Sequence, residues 1–127
     1  MTSIGAALGR TPGDLLIQNV QLANVITGEL YPAEITVYDG LIVSVEAPDT
    51  TPRRRVRRTI DGQGRVAVPG LVDSHMHIES SLVTPAAFAA AVLPRGTTTI
   101  AEDPHEVANA TGLDGVRRLV AASRGLP

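Results

Sequence analysis

Two histidines, His75 and His77, have the types and spacing that most directly suggest chemistry. Side chains at positions i and i+2 of an extended segment point to the same face, so both imidazoles can reach one ion while Met76 points away. The chain has no cysteine, so a transition-metal site must use imidazole and carboxylate ligands. Such a pair suits Zn, Fe, Mn or Co. The alternative is a pair of surface or hydrogen-bonded histidines near a strand end.

A second polar cluster, Asp103, His105 and Glu106, follows a predicted strand at residues 97–101. Because α/β enzymes build their sites where the carboxyl ends of parallel strands meet, His105 is expected on the same edge as His77. It could be a metal ligand, a substrate contact or a residue behind the ligands. The run Asp-Pro-His-Glu is also a good helix start, with Asp as N-cap and Pro at the first helical position. Capping and site roles therefore both stay open for Asp103 and Glu106.

Glu79 lies two residues past His77, so an extended chain would place its carboxylate on the same face. There it could serve as a general acid or base toward a substrate. The alternative is an ordinary surface carboxylate. Ser80 and Ser81 are interpreted as turn residues that bond the backbone, and Glu102 as incidental.

The first half of the chain has the character of a small β domain. Residues 1–12 are rich in Gly, Ala, Ser and Thr and predict a flexible leader. Residues 13–68 form the predicted N-terminal β domain: β-branched and alternating runs predict strands. The Asp39-Gly40 pair predicts a tight hairpin turn between two of these strands.

The second half alternates strand and helix, and residues 69–127 are predicted to open a barrel or parallel sheet. Residues 71–75 predict a short buried strand that leads into the histidine pair. A helix is predicted to begin at Thr84-Pro85, and a second at Thr111 with that residue as N-cap. The fold class is therefore α/β, with a β unit followed by one to two βα units.

Composition and net charge limit the classes of function that the chain can have. Hydrophobic residues make up 43% of the 127 residues and charged residues 19%, as in soluble globular proteins. The net charge of −2 argues against nucleic acid or an anionic membrane as the partner. The arginine-rich run at 53–58 could be a phosphate patch, but its lack of aromatic residues favours a solvated loop and edge strand. No secretory signal or membrane span is evident, so a cytoplasmic location is expected.

The flanking runs carry a family resemblance. The apolar lead-in at 68–73 followed by His-Met-His resembles the first barrel strand of the amidohydrolase superfamily, in which both histidines bind the catalytic metal. Four further runs resemble the adenine deaminase branch of this superfamily: Ile-Glu-Ser-Ser at 78–81, Thr-Pro at 84–85, Gly-Thr-Thr-Thr at 96–99 and Asp-Pro-His-Glu-Val-Ala-Asn at 103–109. Residues 14–17 and 24–29 are similar too, so the resemblance extends from residue 14 to the end.

The resemblance implies part of a composite β-sandwich followed by an incomplete TIM-type barrel. It implies hydrolytic deamination of adenine, a small purine, to hypoxanthine and ammonia by water that a divalent metal ion activates. Manganese is favoured over iron and zinc, and the full-length enzyme is expected to be a homo-oligomer. His75 and His77 would be the metal ligands. The candidate catalytic residues are Glu79, Asp103, His105 and Glu106.

A complete barrel needs about 250 residues, so the further family ligands are expected beyond Pro127, and residues 1–127 alone are expected to be inactive and poorly folded. Two other functions stay open. The chain could belong to another amidohydrolase branch, such as a cyclic-amide hydrolase or a different aminohydrolase. It could also be a non-catalytic, β-rich metal-binding module.

Overall fold

The computed structural model describes residues 3–48 and 55–126. The chain divides into two compact units, Met1–Pro69 and Gly70–Pro127. The first unit opens with a short helix, α1 (Ser3–Ala7), whose Ala6 is buried. Within residues 1–12, which the sequence predicts as a flexible leader, residues 3–7 thus form a helical turn, and the flexibility itself stays a prediction.

The first unit is a five-stranded sheet built around its longest strand, β1 (Gly13–Asn24). On one side of β1 lie β2 (Glu29–Tyr38) and then β3 (Leu41–Glu46), both antiparallel to their neighbours. On the other side, β4 (Val56–Asp61) and β5 (Val66–Ala67) pair with successive parts of β1 in parallel. The buried apolar side chains of the sheet come from its two central strands: Val20, Ala33 and Ile35.

The turn between β2 and β3 is the predicted Asp39-Gly40 hairpin. Both residues have positive φ angles, 51° and 73°, as a type I′ turn requires. The carboxylate of Asp14 on β1 accepts the N–H of Asp39 at 2.7 Å, which ties the turn to the centre of the sheet. The hairpin prediction is confirmed.

The basic run is represented by Arg57 and Arg58, which lie on the edge strand β4. Arg57 is largely exposed and lies 3.4 Å from a carboxylate oxygen of Asp14, a geometry that contributes little to stability in water. The edge-strand interpretation is confirmed for these two residues, whereas Arg53 and Arg54 lie outside the described residues.

Gly62 follows β4 and packs directly against the core of the sheet. A Cβ at this position would lie 2.2 Å from Cγ1 of Val20 and 3.0 Å from the carbonyl oxygen of Asn19. We expect Gly62→Ala to lower the free energy of unfolding of the first unit by about 1–3 kcal/mol, because the buried Val20 must move. Thermal or urea melts measure this. Thr59→Val, an exposed and isosteric change on β4, is the control and should stay within about 0.5 kcal/mol of wild type.

The second unit contains the predicted strand–helix–strand–helix order. Its strands are β6 (Leu71–Met76) and β7 (Thr97–Glu102), which pair in parallel, and its helices are α2 (Pro85–Val92) and α3 (His105–Ala122). Single 3-10 turns occupy Glu79–Ser81 and Leu93–Arg95. Thr84 caps α2 as predicted, since its hydroxyl accepts the N–H of Ala87 at 3.3 Å.

A helix start was predicted at Thr111, and a second helical segment does begin at the break in α3 at Gly112, but the predicted N-cap role of Thr111 is wrong. Helix α3 begins at His105 and has a break at Gly112, whose φ of 66° and ψ of −161° are not helical. The hydroxyl of Thr111 donates to the carbonyl oxygen of Val107 at 2.9 Å instead of capping a new helix. The Asp-Pro run starts the helix earlier, and glycine tolerates the left-handed φ that interrupts it.

The strand before the histidine pair was also predicted to be buried, and it is not. Leu71 is 57% exposed and Val72 67% exposed. In the described part of this unit the sheet has two strands, too few to enclose the apolar side chains of β6. Within residues 3–48 and 55–126, no helix combines the length and apolar character needed to cross a membrane.

Candidate metal centre

His75, His77 and Asp103 form a cluster of potential metal ligands at the carboxyl ends of β6 and β7. One donor atom from each of the three lies within 4.8 Å of the others. The parallel strands bring them together: Met76 is paired with Glu102, and the N–H of Asp103 donates to the carbonyl oxygen of Met76 at 3.0 Å. Polar residues that are 26 positions apart in sequence thus meet at one sheet edge.

His77 is held by a backbone contact that selects its tautomer. Its Nδ1 lies 2.7 Å from the carbonyl oxygen of Asp103, so Nδ1 carries the proton and donates, and Nε2 keeps a free lone pair. This is the usual support of a metal-binding histidine. The same hydrogen bond raises the pKa of His77, against an opposing effect of burial and with help from the charges of Glu106, Asp103 and Glu79.

His75 is placed by its own backbone. Its N–H donates to Oδ1 of Asp73 at 3.2 Å, and its ring centroid lies 4.8 Å from that of His77 at an angle of 69°. Met76 lies between them in the strand. The structure therefore places both imidazoles at the same end of β6.

The imidazole of His105 lies next to that of His77. Its ring centroid lies 4.7 Å from that of His77, and its Nδ1 lies 3.1 Å from Oδ2 of Asp103. Asp103 does not cap α3: the N-cap position is taken by Pro104, with no side-chain capping bond. The capping alternative is therefore wrong, and the carboxylate lies near the ligand atoms of His75 and His77 and near Nδ1 of His105; its site role stays a prediction.

Glu79 and Glu106 lie beside the cluster, with their carboxylates engaged elsewhere. The chain leaves the extended conformation at Ile78, with φ −58° and ψ −39°, so the expectation that Glu79 shares the face of His77 is wrong. Oε1 of Glu79 accepts the N–H of Val107 at 3.4 Å. The hydroxyl of Ser80 lies 2.6 and 2.7 Å from the two carboxylate oxygens of Glu106.

Glu102 is the residue that the sequence interpretation passed over. Both of its carboxylate oxygens lie 3.1 Å from the N–H of Ile78, which follows His77. Oε2 of Glu79 is buried, and no donor from the described residues reaches it, but the carboxyl group of Glu102 is adjacent to Glu79. Its position at the end of a strand paired with β6 was the available signal, because that edge is where site residues gather.

The two neighbouring carboxyl groups have pKa values shifted in opposite directions. Burial and the hydrogen bond with Glu79 raise the pKa of Glu102, against the Ile78 N–H. Burial also raises the pKa of Glu79, but the hydrogen bonds it accepts, including that from Glu102, outweigh this effect and lower it overall.

The donor set fits a divalent transition metal. It offers two imidazole nitrogens, one with its tautomer set by a carbonyl, and one carboxylate oxygen. Histidine and aspartate are ligands for Zn, Fe and Mn, and three protein ligands leave room for water or substrate. A site at the carboxyl end of parallel strands with such ligands is typical of α/β metal-dependent hydrolases.

Solved structures have the same fold. An L-hydantoinase (dihydropyrimidinase) from Arthrobacter aurescens matches with a TM-score of 0.57 and 30% identity, over 72% of this chain and 21% of its own. An N-acyl-D-glutamate deacylase from Bordetella bronchiseptica, solved with zinc and a phosphonate inhibitor, matches with a TM-score of 0.56 and 22% identity, over 71% of this chain and 18% of its own. The second likeness concerns the fold alone.

This chain matches the amidohydrolase family model over residues 66–127. Its relatives include adenine deaminases. That of Oleidesulfovibrio alaskensis is 46% identical over 126 residues, and adenine deaminase 2 of Agrobacterium fabrum is 50% identical over 125 residues. These alignments cover 99% and 98% of this chain and 21% of each relative. The chain therefore spans about a fifth of the length of the curated relatives that it matches.

The predicted α/β fold class is confirmed. A β unit is followed by two βα units with parallel strands, and the structural matches are barrel-forming amidohydrolases of which this chain covers the smaller part. The resemblance to an N-terminal portion of adenine deaminases is confirmed as well.

Proposed function

We propose that this chain supplies the N-terminal part of an adenine deaminase. The reaction is the hydrolysis of adenine to hypoxanthine and ammonia: the bond from the ring carbon to the amino nitrogen breaks, and a bond to a water-derived oxygen replaces it. The observation that carries the proposal is the cluster of His75, His77 and Asp103, in a chain 46–50% identical to several adenine deaminases along almost all of its length.

His75 and His77 are proposed to hold a divalent metal ion, with Asp103 as a third donor. When bound, the ion supplies Lewis acidity that activates water at neutral pH. His77 would bind through Nε2, because its Nδ1 is engaged by a carbonyl oxygen. Manganese is the proposed metal, with iron and zinc as the other candidates.

His105 and Asp103 are proposed as the proton-transfer pair. They are joined at 3.1 Å, and a histidine can take up and release a proton near neutral pH. The departing amino nitrogen needs one proton to leave as ammonia. Glu79 and Glu106 are bound by Val107 and Ser80, and we assign them to the charge and shape of the site around His77.

The proposal also covers the substrate class, location, oligomeric state and metabolic role of the complete enzyme. The substrate is a small purine, not a nucleic acid or a membrane component, and the complete enzyme is a cytoplasmic homo-oligomer that serves purine salvage. The support is the resemblance to adenine deaminases.

A cyclic-amide hydrolase is the second candidate, because a hydantoinase shares the fold at 30% identity. Both reactions use water activated by a metal, and they differ in the bond that breaks. Adenine deamination releases ammonia, whereas ring opening of hydantoin releases none.

The test is a substrate panel on the complete gene product that carries residues 1–127. Apoprotein reconstituted separately with Mn, Fe(II) or Zn is expected to release ammonia and hypoxanthine from adenine, fastest with Mn. The absorbance change of the purine and the ammonia released should agree in stoichiometry. Chelation of the metal is expected to stop turnover, and its return to restore it.

Cytosine and hydantoin are the control substrates, and both should turn over at least about 100-fold more slowly, since a site built to hydrogen-bond one ring rejects a ring that lacks those groups. Opening of hydantoin without turnover of adenine would overturn the proposal in favour of the second candidate.

A further inference from the structure

Glu102 occupies a position from which it can set the geometry of the metal-binding segment. It is the last residue of β7, paired with Met76, and so it lies across from the residue between the two histidines. Asp103, which follows it, contacts His77 through its carbonyl oxygen. Asp103, directly after β7, therefore holds His77, and Glu102, the last residue of β7, holds Ile78, which follows His77.

The contact of Glu102 with Ile78 is specific. Both carboxylate oxygens lie 3.1 Å from the Ile78 N–H, at the point where the chain turns from strand into the 3-10 turn. Ile78 itself is 5% exposed, so water cannot readily replace the lost acceptor. A buried N–H without a partner is costly, and loss of Glu102 would therefore release this turn.

Glu102 also lies beside the carboxyl group of Glu79. Oε2 of Glu79 is buried and has no donor from the described part of the chain. The side chain of Glu102 thus holds two successive residues. It accepts the backbone N–H of Ile78, and it lies beside the carboxyl group of Glu79, the first residue of the 3-10 turn.

We propose that Glu102 is a positioning residue, which fixes the segment after His77 by accepting the Ile78 N–H and contacting Glu79, and so holds the His77 imidazole against Asp103. The inference rests on the proposed metal site, but not on the identity of the substrate. Glu102 acts through His77 and touches neither metal nor adenine.

Two substitutions in the complete gene product distinguish a positioning role of the Glu102 carboxyl group from a role that depends only on the volume of its side chain. Glu102→Ala removes every contact. Glu102→Gln keeps a carbonyl oxygen for the Ile78 N–H and places an amide donor beside the carboxyl group of Glu79. Asp114→Ala, which removes an exposed carboxylate whose ion-pair partner among the described residues is Arg117, is the matched control.

Three readouts are taken: hydrogen exchange of the Ile78 amide, metal content after dialysis, and steady-state kinetics with adenine. For Glu102→Ala we expect exchange to be about tenfold faster and metal affinity to fall about 10–100-fold, as for other groups that orient ligands. The kcat should fall while KM for adenine changes less than about twofold, since the substrate keeps its contacts. Glu102→Gln should recover all three to within about threefold of wild type.

The inference is overturned if Glu102→Ala matches wild type in exchange and metal content, or if Glu102→Gln is as impaired as Glu102→Ala. If Glu102→Ala fails to fold, the test rests on Glu102→Gln. The inference then requires this variant to stay within about threefold of wild type in all three readouts. A wild-type protein that binds metal but does not deaminate adenine would refute the proposed function only, since exchange and metal content still test Glu102.

Discussion

Replacing His77 with alanine is expected to abolish stable metal binding and to lower kcat/KM for adenine by about 1,000-fold or more. The imidazole is one of the two nitrogen donors in the ligand cluster, and removal of a single preorganised charge-stabilising group costs about 10²–10³ in rate even when the rest of the site remains. Metal analysis after dialysis and steady-state kinetics on the complete gene product measure the two effects.

A second substitution at the same position tests which nitrogen binds. In His77→Asn, the side-chain amide can still donate to the carbonyl oxygen of Asp103, as Nδ1 does at 2.7 Å, but nothing replaces Nε2. We therefore expect His77→Asn to keep the fold, measured by circular dichroism and melting temperature, and to lose the metal as fully as alanine. Metal retained by His77→Asn would show that Nε2 is not the ligand atom.

A polypeptide consisting only of residues 1–127 is expected to show no measurable adenine turnover and no cooperative melting of its second unit. Leu71 and Val72 are more than half exposed, and among the described residues of that unit the sheet has two strands with open edges. A two-stranded sheet is at best marginally stable in water, and exposed strand edges promote association.

The comparison protein is a chimaera in which residues 1–127 replace the aligned segment of the Agrobacterium fabrum adenine deaminase, which is 50% identical over 125 residues. The chimaera is expected to bind metal and to deaminate adenine, because it restores the neighbours that β6 and β7 need. Dispersed amide signals, a cooperative melt and robust turnover from residues 1–127 alone would contradict this prediction.

Much of the local structure could be predicted because its causes are local. The Asp39-Gly40 turn needs only a pair of residues that accept positive φ, and the Thr84-Pro85 helix start needs only a hydroxyl and a proline at adjacent positions. The helix start expected at Thr111 is present at the Gly112 break, but the Thr111 hydroxyl turns back to the carbonyl oxygen of Val107 and does not cap it, because a helical segment that begins at His105 already precedes it.

The ligand pair could also be found from sequence, because His75 and His77 are two residues apart in one strand and strand geometry relates their side chains. The same rule failed one step later. Glu79 was expected on that face, but Ile78 begins a turn, and a period of two holds only while the chain stays extended.

The amino-acid sequence by itself determined the fold class, the imidazole character of the site and the similarity to adenine deaminases, since these depend on residue type and short-range spacing. Only the tertiary structure decided which distant groups complete the site. Asp103 and Glu102 reach His77 and Ile78 through the parallel pairing of β7 with β6. That contact depends on strand register across 24 and 26 residues, which no local pattern encodes.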